Sequence, residues 1–181
     1  MNTASILKSV SDELRSARRL LFITGAGISA DSGLPTYRGV GGLYNNEATE
    51  DGLEIEDALS GDCLLTHPEI TWKYLLQIQQ NCQAVVPNAA HRAIAALETS
   101  HEVVVLTQNI DGLHTQAGNS RVIEIHGNQA VRYCMRCHAP ADADDRTLPP
   151  RCAHCGGVVR PGVVLFGESL PEAALIALQE E

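Results

Sequence analysis

The sequence predicts an α/β protein, a doubly wound parallel sheet interrupted by a small cysteine-bearing insertion. Three observations carry this. Apolar, β-branched runs at 20–23, 102–107 and 121–125 alternate with stretches of helical spacing, the order of a parallel sheet with crossover helices. Each run stops abruptly at glycine or polar residues, which gathers those tips at the carboxyl ends of the strands, on one rim. Residues 132–157 then break the rhythm with Cys, Pro, Arg and Asp.

Taken in order, Ile6, Leu7, Val10, Leu14 and Ala17 recur at helical spacing and predict an amphipathic helix over about 4–18. It feeds Leu20-Leu21-Phe22-Ile23, expected as a buried strand. That strand ends at Thr24-Gly25-Ala26-Gly27, and Ile28-Ser29-Ala30-Asp31 opens a second helix. Residues 39–66 carry Gly, Asn, Asp and Glu with little period and predict a long loop with short helical pieces. Helical patterns return from Pro68 to Gln80, and again from Asn88, an N-cap, through Leu97. The run VVRPGVVLF resumes at Val158, and Pro171–Gln179 starts a last helix.

Composition bounds the function. With 181 residues, 44% hydrophobic and 19% charged, the chain has the balance of a folded globular protein and the length to bury a core. A formal charge of -9 without a basic cluster argues against nucleic acid as a partner and favours a cationic peptide. Charges spaced along MNTASILKSVSDELRSARR exclude a secretory signal or a membrane span there, so a cytoplasmic location is expected. Six cysteines include two CxxC pairs, and a reducing compartment favours metal ligation for such pairs over disulfides. Cys63 and Cys82 remain as reduced thiols.

The pairs Cys134/Cys137 and Cys152/Cys155 offer four thiolates to one tetrahedral ion, and the intervening residues 138–151 suit a zinc ribbon. Four sulfur ligands close the site, so the zinc is structural. His138 and His154, beside the ligands, read as surface histidines. The stretch Gly25-Ala26-Gly27-Ile28-Ser29-Ala30 has the G-x-G-x-x-A form of a dinucleotide turn in its strand-to-helix context, where glycines let a pyrophosphate approach the backbone. A tight turn alone would also need glycine.

GAGISADSGLPTYRG, TQNIDGLH, the histidine of IHGN, the paired CxxC and RPGVVLFGE follow one another in register from Leu20 to Pro171. In these five motifs the chain resembles the sirtuins, NAD-dependent protein-lysine deacylases. The resemblance implies a Rossmann-like NAD-binding domain: 1–38 is its first part, 39–85 a cofactor loop and the helical part of a small domain, 86–130 the domain continued, 131–158 the zinc-binding module, and 159–181 an incomplete return. It implies that Gly25, Ala26 and Gly27 approach the cofactor phosphates, with Ser29, Tyr37 and Arg38 on the loop closing over NAD. Gln108, Asn109 and Asp111 match the nicotinamide and ribose pocket, where a carboxamide needs an acceptor and a donor. His126 and Asn109 match catalytic positions. In the family's reaction the acyl oxygen of acyl-lysine attacks the ribose, nicotinamide leaves, and the histidine takes the proton of a ribose hydroxyl. A histidine after a strand otherwise reads as a core or capping residue. Val163, Val164, Phe166 and Gly167 match the segment that pairs with the acyl-lysine peptide; without the family, VVLF reads as a buried strand.

Two departures matter. Many sirtuins have Asp-Phe-Arg where this chain has Thr36-Tyr37-Arg38, and the Thr at the first of these positions resembles members that remove acidic acyl groups. Those members also carry a Tyr-x-x-Arg pair, here Trp72-x-x-Leu75, so a neutral acyl group such as acetyl is expected and Lys73 reads as a solvated surface lysine. The family continues with three further strands, so the sheet is expected to lack its C-terminal strands and to offer an exposed edge for oligomers. Two other readings follow from that: an NAD or acyl-peptide binding fragment with impaired turnover, and a protein ADP-ribosyltransferase.

Overall fold

The three apolar runs pair as one parallel sheet. The computed structural model describes residues 2–36, 48–83, 85–141 and 147–180. In it β1 (Arg19–Thr24), β2 (Glu102–Thr107) and β3 (Val122–Glu124) lie in the order β1-β2-β3. Thr24 stands opposite Thr107, and Thr107 opposite Glu124, so the strands end level and their loops leave by the same rim. β2 is central, and Val103, Val104, Val105 and Leu106 are all buried, as a β-branched run covered on both faces requires.

β1 departs from the buried strand expected of it. Leu20 and Phe22 pack on Ile94, Val103 and Val105, whereas Leu21 and Ile23 are 49% and 67% exposed. The cause is position: β1 is an outer strand of the sheet, and no described element covers its second face. The helix before it, α1 (Thr3–Ser16), is capped by the Asn2 side chain, which accepts the Ser5 N–H at 2.9 Å, and ends where Ala17 turns extended. It buries none of its residues, and Ile6, Leu7 and Val10 stay exposed.

After β1 comes α2 (Ala26–Ser29), which tightens into a 3-10 turn and stops at Gly33, whose φ of 96° favours glycine. The helical pieces expected within 39–66 are α3 (Ile55–Ala58) and α4 (Gly61–Thr66). Then come α5 (Pro68–Gln83), with proline at its first turn, and α6 (Ala89–Leu97). The shorter α7 (Leu113–Ala117) follows β2, and α8 (Glu172–Gln179) comes last. Among the described residues no helix is long and apolar enough to cross a membrane.

Asn88 does more than cap α6. Its side chain accepts the N–H of Ala90 at 2.9 Å and donates to Ile28 O at 2.7 Å and Ser32 Oγ at 3.1 Å, tying the helix start to the segment after β1. Asn88→Ala is therefore expected to cost about 2 kcal/mol, a lost cap plus a lost tertiary bond. The check is urea unfolding at constant m-value. An unchanged midpoint would mean that solvent replaces these bonds.

A second sheet was not legible. β4 (Gly127–Cys134) and β5 (Val159–Val163) form an antiparallel ribbon with a bulge between Asn128 and Arg132. β5 thus joins β4 and not the parallel sheet. The ribbon packs on the small helices through Ala58, Leu59, Leu64, Trp72, Leu75, Val163 and Leu165, and the Trp72 indole N–H reaches Val159 O at 2.8 Å.

Candidate active site

The site grows from the level tips of the three parallel strands. At the tip of β1, Gly25 is extended at φ -144°, a conformation open to any residue. A Cβ on Gly25 or Gly27 would meet nothing within 4 Å. What glycine supplies here is access to the backbone, which fits the close approach of a pyrophosphate.

Asn109, 4% exposed, ties this tip to that of β2. Its amide donates to Gly25 O and to Ser29 Oγ, both at 3.1 Å, and its backbone N–H reaches Thr107 Oγ1 at 3.1 Å. Ser29 in turn donates to Asp111 Oδ2 at 2.7 Å, while Asp111 Oδ1 accepts the Leu113 N–H at 2.9 Å. Gln108 N–H donates to Thr24 O at 3.0 Å. The polar residues of the two loops are locked before any ligand arrives.

His126, just beyond β3, lies with Nδ1 3.0 Å from Gln108 O. A carbonyl oxygen only accepts, so in the neutral ring Nδ1 carries the proton and Nε2 keeps a free lone pair. The His126 carbonyl accepts the Val164 N–H at 2.9 Å, which joins the histidine to the segment after β5.

Two hollows flank these residues. A cleft of about 410 Å3 is lined by Ala26, Gln108, Asn109, His126, Val163, Val164, Phe166 and Gly167. A smaller cavity is lined by Ala26, Ser29, Asn109 and Asp111, with Leu34, Pro35 and Cys82. The sequence-derived candidates from four separate segments thus meet at one place. Tyr37 and Arg38 lie outside the described residues. Lys73 lies apart from the cleft lining, with Nζ 2.8 Å from Asp51 and 3.0 Å from Glu50.

Several contributors carried no signal of their own. Leu59, Leu75, Ile78 and Ile110 complete the cleft wall, and their helical or apolar spacing reads as plain core. Arg160 and Glu168 bracket the motif RPGVVLFGE without a role suggested for either. Their guanidinium and carboxylate meet at 2.6 and 2.8 Å; burial pushes the Glu168 carboxyl up, but the hydrogen bonds from Arg160 and the Leu165 N–H, with the guanidinium charge, together hold it below the usual carboxylate range. Two further histidines sit beneath the rim, fully enclosed, with ring centroids 4.8 Å apart. Burial lowers the pKa of both His91 and His114.

The sulfurs of Cys134, Cys137, Cys152 and Cys155 all lie within 4.8 Å of one another, two pairs at 3.4 and 3.9 Å. A tetrahedral zinc with bonds of about 2.3 Å separates its sulfurs by roughly 3.8 Å, so the donor set fits. Backbone N–H groups of Cys137 and Arg136 directed at Cys134 bring its thiol down to about 6, which readies a thiolate for a metal. His138 and His154 are exposed beside the cluster and supply no ligand to it.

Residues 25–181 match the model of the Sir2 family. The chain belongs to the Sir2, or sirtuin, family. It is 54% identical over 188 residues to NAD-dependent protein deacylase 2 of Pseudomonas aeruginosa, an alignment covering all of this chain and 73% of that protein. Among solved structures it resembles a Sir2 homologue in complex with NAD, at 34% identity and a TM-score of 0.79, over 93% of this chain and 65% of the other. A Sir2–p53 peptide–NAD+ structure matches at 35% identity and a TM-score of 0.77, over 94% and 68%. The chain therefore shares its fold with Sir2 proteins whose structures hold a dinucleotide, in one case together with a peptide.

Proposed function

We propose that this Sir2 chain is an NAD-dependent protein-lysine deacylase, moving the acyl group of an acyl-lysine onto the ADP-ribose of NAD and releasing nicotinamide. The observation that carries this is His126: it lines the cleft with Nδ1 committed to Gln108 O, so Nε2 is the nitrogen left to take a proton. NAD supplies the electrophilic ribose carbon. Gly25, Ala26 and Gly27 are the residues to hold its phosphates; Ser29, Gln108, Asn109 and Asp111 orient the nicotinamide ribose, and Tyr37 and Arg38, outside the described residues, join them on the family resemblance alone. The relatives' names and the NAD and peptide complexes support the same reading. Val163, Val164, Phe166 and Gly167 take the peptide, and the four cysteines hold a structural zinc that does no chemistry. A reduced thiol set suits a cytoplasmic setting, and the outer edge of β1 is a route to self-association.

The acyl group is neutral. The cleft wall is apolar at Leu59, Leu75, Ile78, Ile110 and Val163, and the cation nearest in sequence, Lys73, is engaged by Asp51 and Glu50. Among the described lining residues there is no Lys or Arg to meet a carboxylate placed there, and burying it unpaired would be costly. The test is nicotinamide release from NAD with acetyl-, butyryl- and succinyl-lysine peptides. Acetyl should exceed succinyl by about a hundredfold in kcat/KM; a succinyl preference would overturn the neutral pocket. Binding of NAD without release would return the fragment reading, and a labelled peptide carrying ADP-ribose would return the transferase.

A further inference from the structure

The segment 163–168 forms one wall of the cleft, yet the ladder that would hold it ends at Val163. Its backbone groups need other partners. Two charged side chains supply them. Arg160, 9% exposed, donates from Nη2 to Val163 O at 2.7 Å and to Glu168 Oε2 at 2.8 Å, and from Nη1 to Glu168 Oε1 at 2.6 Å. Its Nε reaches Pro161 O at 3.3 Å. Glu168 Oε2 also accepts the Leu165 N–H at 2.9 Å. The ion pair thus closes a loop across eight residues and satisfies three backbone groups inside it.

The guanidinium is held from behind, 5.7 Å over the Tyr133 ring, where Tyr133 is also the cross-strand partner of Arg160. The far side of the loop is pinned by Phe166 N–H to Leu59 O at 3.0 Å and Gly61 N–H to Phe166 O at 2.9 Å. A Cβ on Gly61 would come within 2.9 Å of Glu168 Cγ, so glycine at that position leaves the carboxylate its place.

An apolar pair of similar volume would serve stability as well as a buried ion pair. What a bidentate pair adds is direction: the planar fork fixes where 163–167 lies relative to His126. We infer that Arg160 and Glu168 are positioning residues for the acyl-peptide, their ion pair holding the 163–167 wall in the shape that the substrate backbone meets. The inference rests on the deacylase reading above, and it concerns peptide recognition, not NAD.

Glu168→Gln keeps the shape and removes the charge; Gly61→Ala disturbs the pair while leaving both partners in place. For each, the kinetic constants for acetyl-lysine peptide and for NAD are measured separately, with zinc content and melting temperature alongside. The peptide KM should rise about tenfold, with kcat and the NAD KM within about threefold of the parent. Arg160→Lys, which retains the charge but not the fork, should fall between. An unchanged peptide KM in both Glu168→Gln and Gly61→Ala overturns the inference. So does a loss of kcat at constant peptide KM, or a loss of zinc and of the folding transition in both, which would make the pair a stabilising element alone. If the parent chain released no nicotinamide with any acyl-peptide, the deacylase reading would fall instead. The clamp is then read by anisotropy of a fluorescent acetyl-lysine peptide, whose Kd must still rise about tenfold in Glu168→Gln.

Discussion

His126→Ala should lower acyl-peptide-dependent nicotinamide release by about a thousandfold while zinc content and melting temperature stay at parental values. The fold has little stake in the imidazole. Among the described residues its Nδ1 meets only the Gln108 carbonyl, and the bond that ties this residue to the substrate segment, Val164 N–H to His126 O, runs through the backbone and survives the substitution. Nor can a neighbouring histidine replace it. His114 is 2% exposed, with Nε2 2.9 Å from Thr24 Oγ1 and Nδ1 3.4 Å from Asn119 Oδ1, and His91 is completely enclosed. Burial lowers both pKa values, and neither lines the cleft. Calorimetry should give NAD affinity within about threefold of the parent, which separates a lost proton acceptor from a lost binding site. A variant that turns over at the parental rate would place the base elsewhere.

What could be read from the chain alone follows from where the information is local. β2 was legible to the residue because a β-branched run between polar ends has one stable use, a strand buried on both faces. Asn88 was legible as a cap for the same reason: its bonds to Ala90 and His91 close within one turn. The burial of β1 was not legible, since whether Leu21 and Ile23 are covered depends on elements distant in sequence. β4 is not legible because its bulge breaks the period-2 pattern, and the polar Asn128, Gln129 and Arg132 leave no apolar alternation to follow. At the site, glycines, amides and His126 carry recognisable chemistry. Arg160 and Glu168 do not, since a salt bridge between positions eight apart exists only if the intervening chain turns back, and that turn, closed by Glu168 N–H on Leu165 O, is held in place at Phe166 by Leu59 and Gly61, distant in sequence.

Removing the metal should have the largest effect on the fold, even though the metal stands outside the chemistry. Among the described residues the buried hydrophobic cluster here is Cys134, Cys152 and Val159, two of its three members ligands, and with Pro150 the buried side chain beside them, little apolar packing is left to hold the cluster together without the ion. Structural zinc contributes roughly 10–16 kcal/mol in isolated zinc-finger peptides, comparable to the whole stability of a domain. Chelation, or Cys152→Ser, is therefore expected to lower the melting temperature by at least about 10 °C. The damage should reach the cleft by a definite route: Val159 leads β5, its carbonyl accepts the Trp72 indole at 2.8 Å, and the same strand continues through Arg160 to the substrate wall at Val163. Nicotinamide release should fall with the fold and return when zinc is added back under reducing conditions. Cadmium or cobalt should restore it equally, since four thiolates leave no coordination position for substrate or water. Metal-dependent rates that differ at equal melting temperature would mean that the ion acts on the reaction itself; a metal-free protein with parental stability and rate would mean that the ribbon holds itself.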